Sequence, residues 1–160
     1  MRKVIVNSTP IIALSKVGLL QLLREMYGEV TIPQAVYDEV TRKNDVAKKE
    51  IINSPWIHRE RVADNSARRM YMAKLHDGEV EVMMLAQEHG LDHLVVIDDN
   101  AARKTAEYLG LRLTGTVGVI IRAKELGLVD SVMSIVRKME SSGIYFSDGL
   151  MDRVRRLAGE

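Results

Sequence analysis

The sequence predicts an α/β fold, with a parallel sheet of about four to five strands in a three-layer arrangement. The first observation is that short β-branched runs alternate with longer segments whose apolar residues recur at helical spacing. The second is size, because 160 residues with 46% hydrophobic content suffice for one ordinary core. Strands separated by helices favour parallel pairing with helices on both faces. We expect a single domain over 1–160, with the last helices, from about 130, as a C-terminal extension.

The first strand and helix are predicted close to the N-terminus. Lys3-Val4-Ile5-Val6 is typical of a buried strand. Thr9 is a suitable N-cap with Pro10 at the first helical position. Apolar residues at helical spacing then predict a helix that reaches Leu23.

The next segments predict a second strand and further helices. Residues 29–32 form a short strand, and Pro33 opens a helix that continues to Val40. Residues 45–75 are expected to be helical, with a break at 53–56.

The second half of the chain continues the alternation. Asp77 could cap a helix that ends at Gly90. The remaining predicted elements are a strand at 93–97, a helix at 100–109, a strand at 111–113, and helices at 116–127, 131–141 and 147–157.

Composition excludes several classes of protein. The chain has no cysteine, so disulfides, cysteine zinc sites and thiol nucleophiles are excluded. It has no run of about 18 uncharged apolar residues, and its N-terminal apolar stretch is too short for a signal peptide. We therefore expect a cytosolic protein that does not enter a membrane. Because 23 basic residues face 22 acidic ones, any contact with nucleic acid must come from local patches.

A ligand site is expected where the strands end, because open parallel sheets bind ligands at the carboxyl ends of their strands. Asp98 and Asp99 follow the strand at 93–97 without a break. Adjacent carboxylates repel unless a cation or a helix N-terminus offsets them. The structural alternative is that one of the two caps the next helix, or that Asp99 pairs with Arg103 four residues later.

Two glutamates near the start of the helix at 77–90 form the second signal. Glu79 and Glu81 suit the helix macrodipole, which is the structural explanation. Glu81, however, stands between two valines, an unusual place for a merely solvated charge. Residues two apart on a helix point about 200° apart, so at most one of the pair faces a given site.

Two further polar positions complete a pattern of oxygen ligands. Glu39 taken alone is an ordinary surface glutamate, and Asn7 taken alone is part of a turn. Hard oxygen ligands without cysteine or histidine suit Mg²⁺ or Mn²⁺. Such ions can activate a water molecule for cleavage of a phosphodiester. Phosphate-binding loops, dinucleotide-binding turns and nucleophile elbows are absent from the sequence.

The chain resembles the PIN-domain family of metal-dependent ribonucleases, within it a VapC-related prokaryotic branch. The similarity rests on five segments: VNSTPIIAL at 6–14, IPQAVYDEV at 32–40, DGEVE at 77–81, LVVIDDNAAR at 94–103 and GTVGVIIRAK at 115–124. Their order and spacing agree over nearly the whole length. The resemblance implies a parallel sheet flanked by helices, with three or four acids holding Mg²⁺ or Mn²⁺.

The resemblance also assigns residues to that site. The first acidic position is Asn7 here, Glu39 matches the second, and Glu81 matches the third, with Glu79 as the fallback. Asp99 matches the fourth, and Asp98 lies beside it. The residues expected to contact substrate are Ser8, Thr9, Arg103 and Arg122.

The expected function is an endoribonuclease that resembles the toxin of a toxin–antitoxin pair. By resemblance, we expect RNA as substrate, a homodimer and a small antitoxin as partner. The alternative is a weak or inactive PIN-like domain that binds RNA or protein, because Asn7 removes one negative charge from the site. A receiver-like signalling domain would need an acidic pair after the first strand, where the sequence has Asn7-Ser8.

Overall fold

The computed structural model describes residues 3–90 and 92–160. Within them lie five strands and ten helices. The strands are β1 (Val4–Val6), β2 (Val30–Pro33), β3 (Ile57–Glu60), β4 (Leu94–Val96) and β5 (Arg112–Thr114). The helices are α1 (Ser8–Lys16), α2 (Gln21–Tyr27), α3 (Gln34–Thr41), α4 (Val46–Ile52), α5 (Arg68–Met72), α6 (Asp77–His89), α7 (Asn100–Tyr108), α8 (Thr116–Glu125), α9 (Val132–Ser141) and α10 (Asp148–Ala158).

The five strands form one parallel sheet in the order β3-β2-β1-β4-β5. The register sets Ile5 opposite Thr31 on one side and Val95 on the other. The chain steps outward from β1 in both directions, so the strand order reverses between β1 and β4. In sheets of this kind, a crevice opens at the carboxyl ends of the two strands that flank the reversal. This carboxyl edge is where a ligand site is expected, and the predicted α/β class is confirmed.

The core lies on the central strands. Consecutive residues of β1 and β2 are buried rather than alternating with exposed ones. Ile5, Val6 and Ile32 have no exposed surface. Continuous burial means that both faces of the sheet are covered, as parallel sheets require. The rigid centre thus holds the strand ends of β1 and β4 in fixed relative positions.

The prediction of helix over residues 45–75 is wrong in its middle. The break at 53–56 exists, but it leads into the edge strand β3, and only α4 and α5 are helical. β3 pairs with β2 on one side alone, and its central residues His58 and Arg59 are exposed. An edge strand with polar residues on it lacks the apolar alternation by which strands are recognised.

Two predicted helix caps are displaced by one or two residues. The N-cap of α1 is Asn7 rather than Thr9, so Pro10 occupies the third helical position. A proline is tolerated there because the first-turn amides have no partner inside the helix. The N-cap of α6 is His76, and Asp77 is its first helical residue.

The helix predicted to reach Leu23 divides in two at Gly18, whose φ of +71° closes a turn between α1 and α2. Glycine adopts this conformation without the steric cost that other residues meet. At the other end of the chain, α9 packs against both α8 and α10. In the described ranges, no helix has the length and apolar character needed to cross a bilayer.

Candidate functional site

Asn7 follows β1 directly and stands at the carboxyl edge. Its backbone N–H donates to the carbonyl of Val96, 3.0 Å away, so the backbone bonding of β1 to β4 continues through Asn7. The residue is only 3% exposed. Its side-chain oxygen Oδ1 is buried and accepts no hydrogen bond from any described residue. A buried polar atom without a partner is costly, so an oxygen left in this state indicates a missing ligand or donor.

Glu39 is brought to the same place by α3. Ser8 Oγ donates to Glu39 Oε2 over 2.7 Å and joins the first residue of α1 to this carboxylate. Gly78 lies between the oxygens, since a Cβ built there would be 3.3 Å from Glu39 Oε2 and 3.4 Å from Asn7 Oδ1. The missing side chain of Gly78 therefore leaves room between the amide and the carboxylate.

Glu79 adds a second carboxylate from the first turn of α6. It is 8% exposed, and its Oε2 accepts from the backbone N–H of His76 at 3.0 Å. Burial raises the pKa of Glu79, and the neighbouring charges of Asp99 and Glu39 raise it further. The carboxylates of Asp99 and Glu39 therefore lie close enough to Glu79 to disfavour its charged form. We call Glu39, Glu79 and Asp99 the acidic cluster.

Glu81 points to different surroundings. Its Oε1 accepts from the backbone N–H of Ala35 at 2.8 Å, in the first turn of α3. Its Oε2 forms an ion pair with Arg68 Nη2 at 2.7 Å. Both oxygens are therefore engaged, in agreement with the expectation that Glu79 and Glu81 cannot face one site. The side chain joins α3, α5 and α6.

Asp99 serves as the N-cap of α7. Its Oδ2 accepts from the backbone N–H of Ala102 at 3.0 Å, and the residue is exposed. Of the two structural alternatives for this residue, the helix cap is therefore present, and the ion pair with Arg103 is not among the contacts of the described residues. Arg103 Nη1 donates instead to the carbonyl of Ile97, 3.0 Å away. Oδ1 of Asp99 accepts no hydrogen bond within the described part of the chain and remains available to a ligand.

Asp98 has a structural role. Its Oδ1 accepts from the backbone N–H of Thr116 at 2.8 Å, and its Oδ2 accepts from the hydroxyl of the same residue at 2.5 Å. A carboxylate at this position satisfies the first amide of α8 and complements the positive end of that helix. Gly115 makes the approach possible, because a Cβ there would be 2.7 Å from Asp98 Oδ1.

The residues expected to contact substrate are distributed unevenly. Ser8 reaches the site through its bond to Glu39. Thr9 is exposed, and its side chain forms no hydrogen bond with the described residues. Arg122 is exposed on α8 and pairs with Glu125 at 2.9 Å. Arg103 is held at the end of β4.

Comparison with known families decides the assignment. The family model DUF3368, a PIN domain, matches residues 3–160. The chain belongs to the PIN-domain family. No curated protein and no solved structure gives a significant match.

Membership of the PIN-domain family gives a reason for the oxygen-rich side chains at the carboxyl edge of the sheet. PIN domains have a nuclease-like fold and generally depend on divalent metal ions. In the described ranges of this PIN domain, no three acidic or histidine side chains are already gathered closely enough to hold an ion. The donor set nevertheless fits one, because Asn7 Oδ1 and the acidic cluster supply hard oxygens and the amide oxygen has no partner in the part of the chain that the structure describes.

Sequence reasoning missed the role of Gly78 in this PIN domain. The signal available was a glycine in the first turn of a helix, directly beside an acid. Glycine is a poor helix former, so its presence there calls for a steric reason. The reason lies in the oxygens of Asn7 and Glu39, which belong to other elements and come near only after folding.

Proposed function

We propose that this PIN domain is a Mg²⁺- or Mn²⁺-dependent endoribonuclease of the VapC-related branch. The observation that carries the proposal is the buried, unpartnered Oδ1 of Asn7 beside the acidic cluster. A buried glutamate whose charge is disfavoured by two neighbouring carboxylates, and an amide oxygen that has no donor among the described residues, are arranged unfavourably for stability alone. A divalent cation would relieve both costs.

The ion would be held by Asn7, Glu39, Glu79 and Asp99. Glu79 takes the place for which Glu81 was the first choice, because both oxygens of Glu81 already have partners. Asp98 assists by fixing the loop beside Asp99 rather than by binding the ion. With the ion bound, the site would gain the chemistry that activates water for attack on a phosphodiester and stabilises the leaving oxygen.

The amide at Asn7 affects how tightly this site would bind the ion. An amide oxygen binds Mg²⁺ but contributes no negative charge, so the ion meets three formal charges rather than four. We expect the affinity for the ion to be lower than it would be with aspartate at this position. This reduced charge favours a second candidate function, a PIN domain that binds RNA or protein without cleaving it.

The biological setting extends the proposal. We propose that the nuclease acts in the cytoplasm as the toxin of a toxin–antitoxin pair, as a homodimer inhibited by a small antitoxin. This setting rests on the VapC-related resemblance of the sequence alone. A neighbouring gene for a small protein with a DNA-binding N-terminus would support it.

Cleavage of a labelled RNA with Mg²⁺ or Mn²⁺ tests the proposal. Asp99→Asn keeps a good N-cap for α7 and should abolish cleavage, since it removes a charged ligand. Asn7→Asp should keep or raise activity. The control is Asp152→Asn, which removes an exposed carboxylate on α10 and should change nothing.

Three results would contradict the proposed nuclease activity or its proposed location. Equal cleavage by wild type and Asp99→Asn would mean that another site or a contaminant cuts the RNA. Loss of activity in Asp152→Asn would point to a different location for the site. Absence of cleavage in every variant, with RNA binding retained, would favour the binding domain.

A further inference from the structure

The acidic cluster poses an electrostatic problem for an RNA substrate. A phosphodiester strand is a polyanion, and phosphates approach a protein through lysine and arginine side chains. Arg103, which was expected to contact substrate, donates to a backbone carbonyl, and Arg68 on α5 is paired with Glu81. The substrate therefore needs a different cation close to Glu39.

A cavity of about 400 Å³ lies between α3 and α6, directly beside the acidic cluster. Glu39 and Gly78 belong both to its wall and to the candidate metal site. The remaining charged or imidazole groups on its wall are Asp38, Arg42, His76 and Asp77. A group seated in this cavity would be next to a reacting phosphate at the ion.

Arg42 is the cation in this cavity. It follows Glu39 by three residues at the end of α3, and residues at this spacing lie on the same face of a helix. Arg42 is exposed, and its guanidinium forms no hydrogen bond or ion pair with another described residue. One helix thus presents a candidate metal ligand and an unengaged guanidinium to the same cavity.

We propose that this cavity binds a phosphate of the RNA strand next to the cleaved bond, with Arg42 as the phosphate ligand. The proposal rests on the nuclease function and assigns a residue to the substrate. A guanidinium suits this task because its planar set of donors can bind two phosphate oxygens at once. The imidazole of His76 supplies a further polar group on the opposite wall.

The carboxylates of the cavity make this binding dependent on the divalent ion. The wall carries three carboxylates, and the hydrogen bonds that Asp38 accepts from Gln34 and Glu39 accepts from Ser8 come from neutral groups that leave those charges uncompensated. Without an ion, these charges oppose the attraction of Arg42 for a phosphate. We therefore expect RNA to bind in the presence of Mg²⁺ and much more weakly after its removal.

The test measures RNA binding rather than cleavage. Fluorescence anisotropy of a labelled single-stranded RNA is followed with Mg²⁺ on ice, and a denaturing gel checks that the strand stays intact. Arg42→Ala should weaken binding about tenfold, as expected for one charge-assisted phosphate contact. Arg42→Lys should recover part of the loss. The matched control is Lys43→Ala, which removes a neighbouring exposed charge from outside the cavity wall.

The outcomes separate this proposal from the nuclease function. Equal weakening by Arg42→Ala and Lys43→Ala, or none by either, overturns the role of Arg42 even if the wild type cleaves RNA. Absence of RNA binding by the wild type with Mg²⁺ also overturns it. Binding that depends on Arg42, together with no cleavage of the same RNA by the wild type when it is warmed with Mg²⁺, supports a phosphate site in the cavity and contradicts the nuclease. Calorimetric titration with Mn²⁺ alone should give Arg42→Ala an affinity no lower than that of wild type, because Arg42 is not a ligand of the ion and its removal takes a positive charge away from Glu39.

Discussion

Two carboxylates near helix N-termini behave in opposite ways in this molecule. Glu160 accepts hydrogen bonds from Lys124, Ser131 and the first amides of α9, and these contacts lower its pKa to about 2. Glu79, in the first turn of α6, accepts one backbone bond and faces Asp99 and Glu39, and its pKa is raised. Two carboxylates near helix N-termini thus differ in the direction of their pKa shift: hydrogen bonds stabilise the charge of Glu160, whereas the surroundings of Glu79 disfavour its charge.

This difference distinguishes acids that stabilise the fold through their hydrogen bonds from acids that are available to bind a ligand. Glu160 joins α8 and α9 and leaves no oxygen without a donor. Glu81 resembles it, since an amide and Arg68 take its two oxygens. In the acidic cluster, by contrast, burial and two neighbouring carboxylates disfavour the charged form of Glu79, a cost that the proposed cation would offset. Natural proteins keep such unfavourable arrangements where function requires them.

The largest expected effect separates Glu79 from Glu81. Glu79→Gln keeps an acceptor for the His76 amide but removes a charged ligand, so Mn²⁺ affinity should fall at least about 100-fold. Glu81→Gln should change that affinity by less than about threefold, because its side chain is directed at Arg68. Isothermal titration calorimetry measures both. The reverse order of effects would restore Glu81 as the ligand.

The second effect concerns stability at Glu81. Glu81→Ala leaves the Ala35 amide and Arg68 without their acceptor, which should lower the free energy of unfolding by about 2 kcal/mol. The control is Glu125→Ala, which breaks an exposed ion pair with Arg122 and should cost less than about 0.5 kcal/mol. Urea unfolding of both variants gives the comparison. Equal losses would show that Glu81 contributes no more than a surface pair.

The third effect tests whether the absence of a side chain at Gly78 is needed for metal binding. Gly78→Ala should gain up to about 1 kcal/mol of helix propensity in α6, less the cost of placing a methyl group 3.3 Å from the buried Val36 Cγ2. The same change should weaken Mn²⁺ binding about tenfold, because the new methyl group crowds Asn7 Oδ1 and Glu39 Oε2.

The fold supplies a matched control for this change. Gly149 is the second residue of α10 and also follows an aspartate, and a Cβ there meets nothing within 4 Å. Gly149→Ala should therefore give the stability gain without any change in affinity. Unchanged Mn²⁺ affinity in Gly78→Ala would refute the steric role of this glycine.

The smallest effect is in the pH dependence of stability without metal. A raised pKa means that the folded state binds the proton more tightly, so ionisation of Glu79 lowers stability as pH rises above about 4.5. Glu79→Gln should consequently be more stable than wild type at neutral pH and equal to it near pH 4. Glu160 has the opposite sign, since its contribution is present above about 4.5 and is lost as pH falls towards about 2.

Thermal unfolding across this pH range checks both signs. Glu160→Gln should be less stable than wild type at neutral pH, and the difference should shrink on acidification. A Glu79→Gln variant that is less stable than wild type at neutral pH would mean that Glu79 supports the fold. Glu79 and Glu160 would then both stabilise the fold at neutral pH, contrary to the opposite signs expected from their pKa shifts.

Much of the fold follows from local sequence. β1 is a short buried run followed at once by Asn7, β4 is followed by Asp98 after one further buried residue, and the helix at 100–109 ends beside Gly110, as expected. β3 could not be predicted because Ile57-His58-Arg59-Glu60 lies at a sheet edge and carries polar residues. The strand exists because β2 offers it a partner, and that is a property of the assembled sheet.

The candidate site was predictable in composition but not in detail. Helical spacing shows that only one of Glu79 and Glu81 faces the acids, but it cannot say which one. The deciding contact of Glu81 is with Arg68, thirteen residues away and on another helix. Arg42 was missed for a similar reason, because a cation at the end of a helix has an ordinary explanation in the macrodipole.

The most direct test is a crystal of the wild-type protein soaked with Mn²⁺ and measured for anomalous scattering. The account predicts an anomalous peak at the carboxyl edge, with Asn7 Oδ1 and carboxylate oxygens of Glu39, Glu79 and Asp99 about 2.0–2.6 Å away or joined through water. A peak ligated by Glu81 instead of Glu79, or none at this edge at millimolar Mn²⁺, would contradict it.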